Sequence, residues 1–326
     1  CVLCLPLFAY AGNIKDTATL PLLAEVKSGD YVVLELDSWQ LQGFGEAGIS
    51  PRVAVFTNFM ADHLNYYKGD MNAYFADKAH IFEYQKSSDF LICGEEVFPR
   101  IEVGKPEAKV VVARRETVPK EWKLKIIGEH NVANVACALE ASRALGVKDE
   151  VTREVVEDFS AVSGRLEFLG EKRGVKVYND NNATTPNATI AALRALGGLG
   201  VKSKNIILIC GGSDKGLNMQ ELIEEIPKYC RAIVFLKGTG TEKLLATCNA
   251  KHVTSNEDLE KTPHATRHTL QGVLIYEMEM LKDCVQQAMD IAELGDIVLF
   301  SPAFASFGKY FKNEYDRGEQ FVRMVI

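Results

Sequence analysis

A carboxylate interrupts the apolar run Tyr31-Val32-Val33-Leu34-Glu35-Leu36, and the polar residues Asp37, Ser38 and Gln40 follow it. The β-branched run, bounded by Ser28-Gly29-Asp30, predicts a buried strand of a parallel sheet. Open α/β sheets bind ligands beyond the carboxyl ends of their strands, so Glu35 with Asp37 and Gln40 marks a candidate metal or substrate site. A second strand-like run, residues 52–57, delivers Asn58, Asp62 and His63 just past its own end. Residues 74–82 read as an amphipathic helix with Lys78 in its middle. Taken singly, these residues have plain readings too: a salt bridge at the sheet rim, a hydrogen-bonded loop histidine and a solvated lysine.

Further along, polar clusters again follow short apolar runs. Gly128-Glu129-His130-Asn131-Val132-Ala133-Asn134 opens a helical stretch and sets Asn131 and Asn134 about one turn apart on the same face. Ser163-Gly164-Arg165-Leu166-Glu167 stands at a break in the pattern. Tyr178-Asn179-Asp180-Asn181-Asn182-Ala183-Thr184-Thr185-Pro186 links a strand to a helix, where capping and turn chemistry also favour such residues. Gly211-Gly212-Ser213-Asp214-Lys215-Gly216 follows another strand. Its glycines permit close approach of a ligand to the backbone and Lys215 supplies a cation, although tight turns look the same. The last cluster is Ser301-Pro302-Ala303-Phe304-Ala305-Ser306-Phe307-Gly308-Lys309, followed by Phe311-Lys312-Asn313-Glu314-Tyr315-Asp316-Arg317-Gly318.

The elements that must position these groups alternate. Strands are predicted at 31–36, 52–57, 90–93 and 110–113, with helices at 131–145 and 152–159. After the break at 160–164 the pattern restarts. Strands are predicted at 175–178, 205–210, 232–236 and 297–300, and helices at 187–196, 219–230, 241–248, 278–294 and 313–324. Residues 252–272 are polar and weakly periodic and predict an irregular loop. Regular β–α alternation implies parallel sheets with helices on both faces. Two domains are expected, 1–162 and 163–326, a division that 326 residues accommodate.

Composition narrows the function classes. The net charge of −7, with no basic block, argues against nucleic acid and anionic membranes as partners. No apolar run reaches the length needed to span a bilayer. Eight cysteines are scattered through the chain, most of them in apolar runs, a usage that suits a reducing cytoplasm. Cys1-Val2-Leu3-Cys4 is a lone CxxC with no second pair, read here as part of a buried strand rather than a zinc or redox site. The chain opens on Cys1, without a basic n-region or a small-residue cleavage site, and is expected to begin inside a domain.

Taken together, these motifs resemble the Mur ligase superfamily, the ATP-dependent amino-acid ligases of peptidoglycan precursor synthesis. The segment 301–318 is similar to that of the branch that adds D-glutamate to UDP-N-acetylmuramoyl-L-alanine, with one extra residue between its halves. The resemblance runs from Asn13 to the C-terminus. It implies an α/β fold: a central parallel-sheet ATPase domain, N-terminally truncated, followed by a Rossmann-like C-terminal domain that binds the amino acid. It implies ATP and Mg2+ as cofactors. Glu35, His63 and a carbamylated Lys78 would hold the magnesium ion and serve catalysis. Asn131, Asn134, Arg165 and Asp180 would approach the nucleotide. Asn13, Asp37 and Gln40 would contact substrate. Thr184 and Lys215 would hold the α-carboxylate of the incoming amino acid, and Ser306, Phe307 and Tyr315 would surround its side-chain carboxylate.

The implied reaction phosphorylates the carboxylate of the UDP-sugar-alanine and lets the amine of D-glutamate attack the acyl phosphate. A cytoplasmic monomer acting on small molecules is expected. Three departures stand out: Asn182 where a lysine is usual, Asp37 where a serine is usual, and no GxxxxGK[ST] phosphate loop anywhere. The last leads to the expectation that this chain, taken alone, does not turn over ATP. A folylpolyglutamate synthase-like ligase and a non-catalytic binding module are the alternatives.

Overall fold

The computed structural model describes residues 8–13, 19–199, 204–248, 251–252, 266–306 and 311–326. Cys1, Cys4 and Phe307 lie outside the described residues. The chain divides into two compact units, one formed by Cys1–Phe59 and Gly69–Ala113, the other by Met60–Lys68 and Arg114–Ile326. The short segment Met60–Lys68, which carries Asp62 and His63, thus clusters with the second unit, where Leu64 packs on a hydrophobic core.

The first unit holds β1 (Phe8–Gly12), β2 (Tyr31–Glu35), α1 (Ser38–Ala47), β3 (Val53–Phe56), α2 (Met71–Ala79), β4 (Phe90–Gly94), α3 (Phe98–Val103) and β5 (Lys109–Ala113). Strands β3, β4 and β5 form a parallel sheet in that order, with Phe56, Leu91, Cys93 and Ile101 in its core. Strands β1 and β2 pair in parallel, Gly12 opposite Glu35. A Cβ on Gly12 would stand 2.0 Å from the Glu35 carbonyl oxygen, and its φ of +112° is one that glycine adopts freely.

The sequence predicted a buried strand at 31–36; β2 is parallel but open, with Tyr31 42%, Val32 39% and Val33 62% exposed. Among the described residues β2 pairs with β1 alone, and a two-stranded ribbon has too few neighbours to cover both faces of an apolar run. The middle position predicted for Lys78 is also corrected. Helix α2 starts earlier, on the cap supplied by Asp70, and places Lys78 in its last turn.

The second unit contains α4 (Glu129–Ala144), α5 (Asp149–Asp158), β6 (Glu167–Lys172), β7 (Val175–Asn179), α6 (Pro186–Gly197), β8 (Ile206–Cys210), α7 (Gln220–Tyr229), β9 (Cys230–Leu236), α8 (Thr239–Cys248), β10 (Lys251–His252), β11 (Thr266–Leu270), β12 (Val273–Met278), α9 (Leu281–Ile291), β13 (Ile297–Phe300) and α10 (Glu314–Val325). Its sheet runs β10-β11-β12-β9-β8-β13-β7-β6. The five strands from β12 to β7 are mutually parallel; β6 and β11 join them antiparallel at either side, and β10 pairs antiparallel with β11.

Two cores lie on opposite faces of this sheet. One gathers Leu193, Leu222, Ile226 and Leu244 from α6, α7 and α8; the other gathers Cys284, Ala288 and Phe321 from α9 and α10. The expected irregular loop at 252–272 is corrected at its end, where β11 forms and pairs with β12. Strand β12 fills residues 273–277, which had no predicted element, and ends on Met278, the first residue of the helix predicted at 278–294, which begins at Leu281. The polar sequence of β11, Thr266-Arg267-His268-Thr269-Leu270, hid that strand, because antiparallel strands near a sheet edge need no apolar face on both sides; β12 is apolar and packs parallel against β9.

Candidate functional site

The chain leaves β7, proceeds to β8, β9 and β12 on one side, and returns as β13 between β8 and β7. Such a reversal of strand order opens a crevice at the carboxyl ends of the strands. Three loops meet there, one after each of β7, β8 and β13.

Backbone hydrogen bonds lock these loops together. Asp180 N–H donates to the Phe300 carbonyl at 2.7 Å, Ala303 N–H to that of Ala183 at 2.9 Å and Gly211 N–H to that of Pro302 at 2.9 Å. Ser213 and Ala305 exchange a pair of hydrogen bonds, 3.0 and 3.2 Å, as an antiparallel bridge. Only glycine allows this approach at Gly212, where a Cβ would lie 2.5 Å from the Ala305 carbonyl oxygen and φ is +144°.

The locked loops bring Thr184 and Lys215 together. Lys215 Nζ lies 3.2 Å from Thr184 Oγ1 and 3.1 Å from Asp62 Oδ1. The sequence singled out Thr184 and Lys215 but passed over Asp62 as a site residue. Its carboxylate is aimed by the backbone of its neighbour, since His63 N–H donates to Asp62 Oδ1 at 2.8 Å. His63 adopts a left-handed φ of +53°. Its Nε2 lies 3.7 Å from Asp62 Oδ2. Ser306 is buried at the end of the β13 loop, and Tyr315 is half-buried in the first turn of α10.

Asn182 packs over Gly164, with its Oδ1 accepting from Asn181 Nδ2 at 3.2 Å.

A second group missed by the sequence reading is Arg317. Its side chain is 1% exposed. Nε donates to Asn181 Oδ1 at 2.7 Å, Nη2 to the Asn181 carbonyl at 2.9 Å and Nη1 to the Phe304 carbonyl at 3.2 Å. One guanidinium therefore ties the β7 loop to the β13 loop. Burial pushes its pKa down to about 10, which leaves it charged at neutral pH. Gly318 beside it lets α10 come close, because a Cβ there would meet Asn181 Nδ2 at 2.9 Å. The Arg-Gly pair at 317–318 was the available signal, noted within the segment 301–318 but given no role of its own.

The residues proposed for the nucleotide also fall in the second unit. Gly128, with φ +96°, turns the chain into α4, and Asn131 Nδ2 donates to the Ile127 carbonyl at 2.8 Å. Asn134 is exposed on the same helix, 3.5 Å from Asn131. Arg165 is exposed. Leu166 next to it has a left-handed φ of +49°, and its N–H donates to Asp180 Oδ1 at 2.9 Å. Asp180 Oδ2 accepts from Ser301 Oγ at 2.8 Å, and Ser301 Oγ also meets Thr189 Oγ1 at 2.9 Å. Burial pushes the Asp180 carboxyl up to about 7, partly offset by those two donors and by Arg165.

In the first unit, Asn13 N–H donates to the Glu35 carbonyl at 2.7 Å. Asp37 and Gln40 form a reciprocal capping box at the start of α1, with distances of 2.8 and 3.0 Å. Lys78 Nζ stands 5.3 Å from the Tyr74 ring centroid, a cation–π contact. Among the described residues, no group of three or more His, Cys, Asp or Glu is placed to hold a metal ion. The expected donor set adds a carboxylate and an imidazole to a lysine ammonium, and an ammonium repels cations. That set fits magnesium only if Lys78 carries a carboxylate as a carbamate.

Interlocked polar loops at the strand-reversal crevice of a parallel sheet define a ligand-binding α/β protein. The Mur ligase middle domain matches residues 6–112, and the Mur ligase glutamate ligase domain matches residues 164–304. The UDP-N-acetylmuramoylalanine–D-glutamate ligase of Roseiflexus sp. (strain RS-1) is 32% identical over 97% of this chain and 69% of its own length. That of Clostridium perfringens (strain 13 / Type A) is 35% identical over 96% of this chain and 67% of its own. Among solved structures, MurF ligase from Thermotoga maritima in complex with ADP shares the fold, with a TM-score of 0.64 at 15% identity over 98% of this chain and 79% of its own. The chain belongs to the Mur ligase family, whose members are ATP-dependent ligases. No helix among the described residues is long and apolar enough to cross a membrane.

Proposed function

We propose that this chain carries the ATP-using and amino-acid-binding parts of a cytoplasmic UDP-N-acetylmuramoylalanine–D-glutamate ligase of peptidoglycan precursor synthesis. The observation that supports it best is the meeting of Thr184 and Lys215 at the loop crossing, where a cation lies 3.2 Å from a hydroxyl. A carboxylate received there accepts a charge-assisted hydrogen bond from Nζ and a second bond from Oγ1. Ser306 and Tyr315, with Phe307, are assigned to the distal carboxylate of the amino acid. Asn131, Asn134 and Arg165 are assigned to the nucleotide. Asp180 serves the same side through Leu166, since holding that N–H fixes the backbone from which Arg165 extends. Asn13, Asp37 and Gln40 are assigned to the UDP-sugar substrate.

Glu35, His63 and Lys78 are assigned to magnesium, on the condition that Lys78 is carbamylated. When bound, that cation neutralises charge on the transferring phosphoryl group. Intact-mass measurement in bicarbonate, with and without Lys78→Ala, tests the condition: an adduct of one carbon dioxide lost in the variant supports it, and no adduct in the wild type overturns it.

The function itself is tested by phosphate release from the natural polypeptide carrying this sequence, given ATP, UDP-N-acetylmuramoyl-L-alanine and D-glutamate. Release that requires both co-substrates, and that glutamyl-folate precursors do not support, is the expected result. Release driven by a folate substrate would instead make it a folylpolyglutamate synthase-like ligase.

A further inference from the structure

We propose that Asp62 receives the α-ammonium of the incoming amino acid and so selects a zwitterion over a plain dicarboxylic acid. The inference rests on the reading that Lys215 and Thr184 hold the α-carboxylate. Asp62 Oδ1 lies 3.1 Å from the Lys215 ammonium, which also lies 3.2 Å from Thr184 Oγ1. Both members of the ion pair are partly open, with 21% of the Lys215 and 27% of the Asp62 side chain exposed. A ligand can therefore reach them without the pair having to unfold a core.

In an α-amino acid the carboxylate and the ammonium share one carbon atom. Whatever stands beside the cation that reads the carboxylate stands beside the ammonium as well. A zwitterion entering this pair sets four charges in alternation: carboxylate against Lys215, ammonium against Asp62. Neither residue loses a counter-charge, and the desolvation of one is offset by the other. A dicarboxylic acid of the same length without the amine would bring a carboxylate beside Asp62 with nothing to neutralise it. Like charges at such a distance are destabilising. The Asp62 side chain is held for this purpose by the His63 N–H at 2.8 Å, so it does not swing freely with the ligand.

A simpler role for Asp62, as a lid that occupies Lys215 until any acid displaces it, makes the opposite forecast. Binding of D-glutamate and of glutarate, which has both carboxylates and no amine, is measured by titration calorimetry on the natural polypeptide, its Asp62→Asn variant and its Lys215→Met variant. Asp62→Asn keeps an amide oxygen for the His63 N–H, and an unchanged melting temperature confirms the fold. The expected result is that Asp62→Asn weakens D-glutamate about tenfold or more, the size of one lost charge-assisted contact, while glutarate binds as well as before or better. An equal gain for both ligands supports the lid and overturns the proposal, as does an unchanged ratio between them. Lys215→Met should weaken both. If it does not, or if the wild type binds neither, the α-carboxylate reading fails and this inference with it. If Lys215→Met weakens both and Asp62→Asn leaves the ratio unchanged, only this inference fails.

Discussion

At the scale of single residues, Asp180 is a carboxyl group placed where ionisation is costly. Its unfolded pKa is near the ordinary 3.8, and burial raises the folded value to about 7. Between those values the folded state holds a proton that the unfolded state has lost. Stability contributed by the neutral carboxyl is therefore fully present below about pH 4 and is lost as the pH rises through about 7. Asp180→Asn keeps an acceptor for the Leu166 N–H and a polar partner for Ser301, and it does not titrate. On going from about pH 5 to about pH 8, the wild type should lose more thermal stability than the variant, a difference of a few kcal/mol at most. Parallel melting curves across that range would show that water reaches the carboxyl and that its pKa is ordinary.

Asn182 is the neutral residue where the family resemblance expects a lysine. Its side chain bonds the neighbouring Asn181 and packs over Gly164, within the same loop that carries Thr184. Asn182→Lys should lower the KM for D-glutamate about tenfold, the value of one added charge-assisted contact to a dianion. An unchanged or higher KM would mean that another cation already fills the role. The polar clusters that contain Thr184, Lys215 and Ser306 were legible from sequence because each follows an apolar strand-like run, while the roles given to these residues came from the family resemblance alone. Asp62 was not, because its partner Lys215 lies 153 residues away, and nothing in a single sequence reports a contact across that separation.

At the scale of elements, the site is held by loops that have little structure of their own. Beside the backbone bonds from Asp180 to Phe300 and from Ala303 to Ala183, a side chain from α10 also fixes the loop after β7 against the loop after β13. Arg317 makes three hydrogen bonds to Asn181 and Phe304 while almost fully buried. Arg317→Met keeps the apolar stem and leaves three buried acceptors bare. It should cost about 3–5 kcal/mol in denaturant unfolding, as leaving several buried acceptors without donors does. Arg317→Lys, which keeps the charge but not the planar fork, should recover only a small part. Full recovery would mean that charge alone matters here and that the two loops are held by their backbone bonds.

The parallel strands around this site were readable as runs of β-branched residues, each placed within two residues. The polar strand β11 was not, since its sequence carries no period that distinguishes it from a loop, and the apolar run of β12 beside it was overlooked. Strand β2 was recognised as a strand but not as an open one, because exposure depends on neighbours rather than on the run itself.

At the scale of the whole molecule, the two units differ in how completely they bury their strands. In β8 every residue from Ile206 to Cys210 is at most 1% exposed, and β9 beside it is nearly as dry. In the first unit, β4 is buried at Leu91, Ile92 and Cys93, each 0% exposed. Strand β2, in its two-stranded sheet, keeps Val33 62% exposed. Backbone amides exchange through local openings whose free energy follows the buried contacts that must be given up. A hierarchy is therefore expected in native-state hydrogen exchange. Amides of β8, β9 and β13 should exchange only through global unfolding of the second unit, those of β4 at an intermediate free energy, and those of β2 fastest, several kcal/mol below β8. Adding denaturant should lower the protection of β8 steeply, since its opening exposes both cores, and that of β2 hardly at all, since little new surface appears. Equal protection and equal denaturant dependence in β2 and β8 would show the chain opening as one cooperative body. The large parallel sheet would then stabilise the ribbon as firmly as it holds its own strands, and exposure would be no guide to the order in which this protein comes apart.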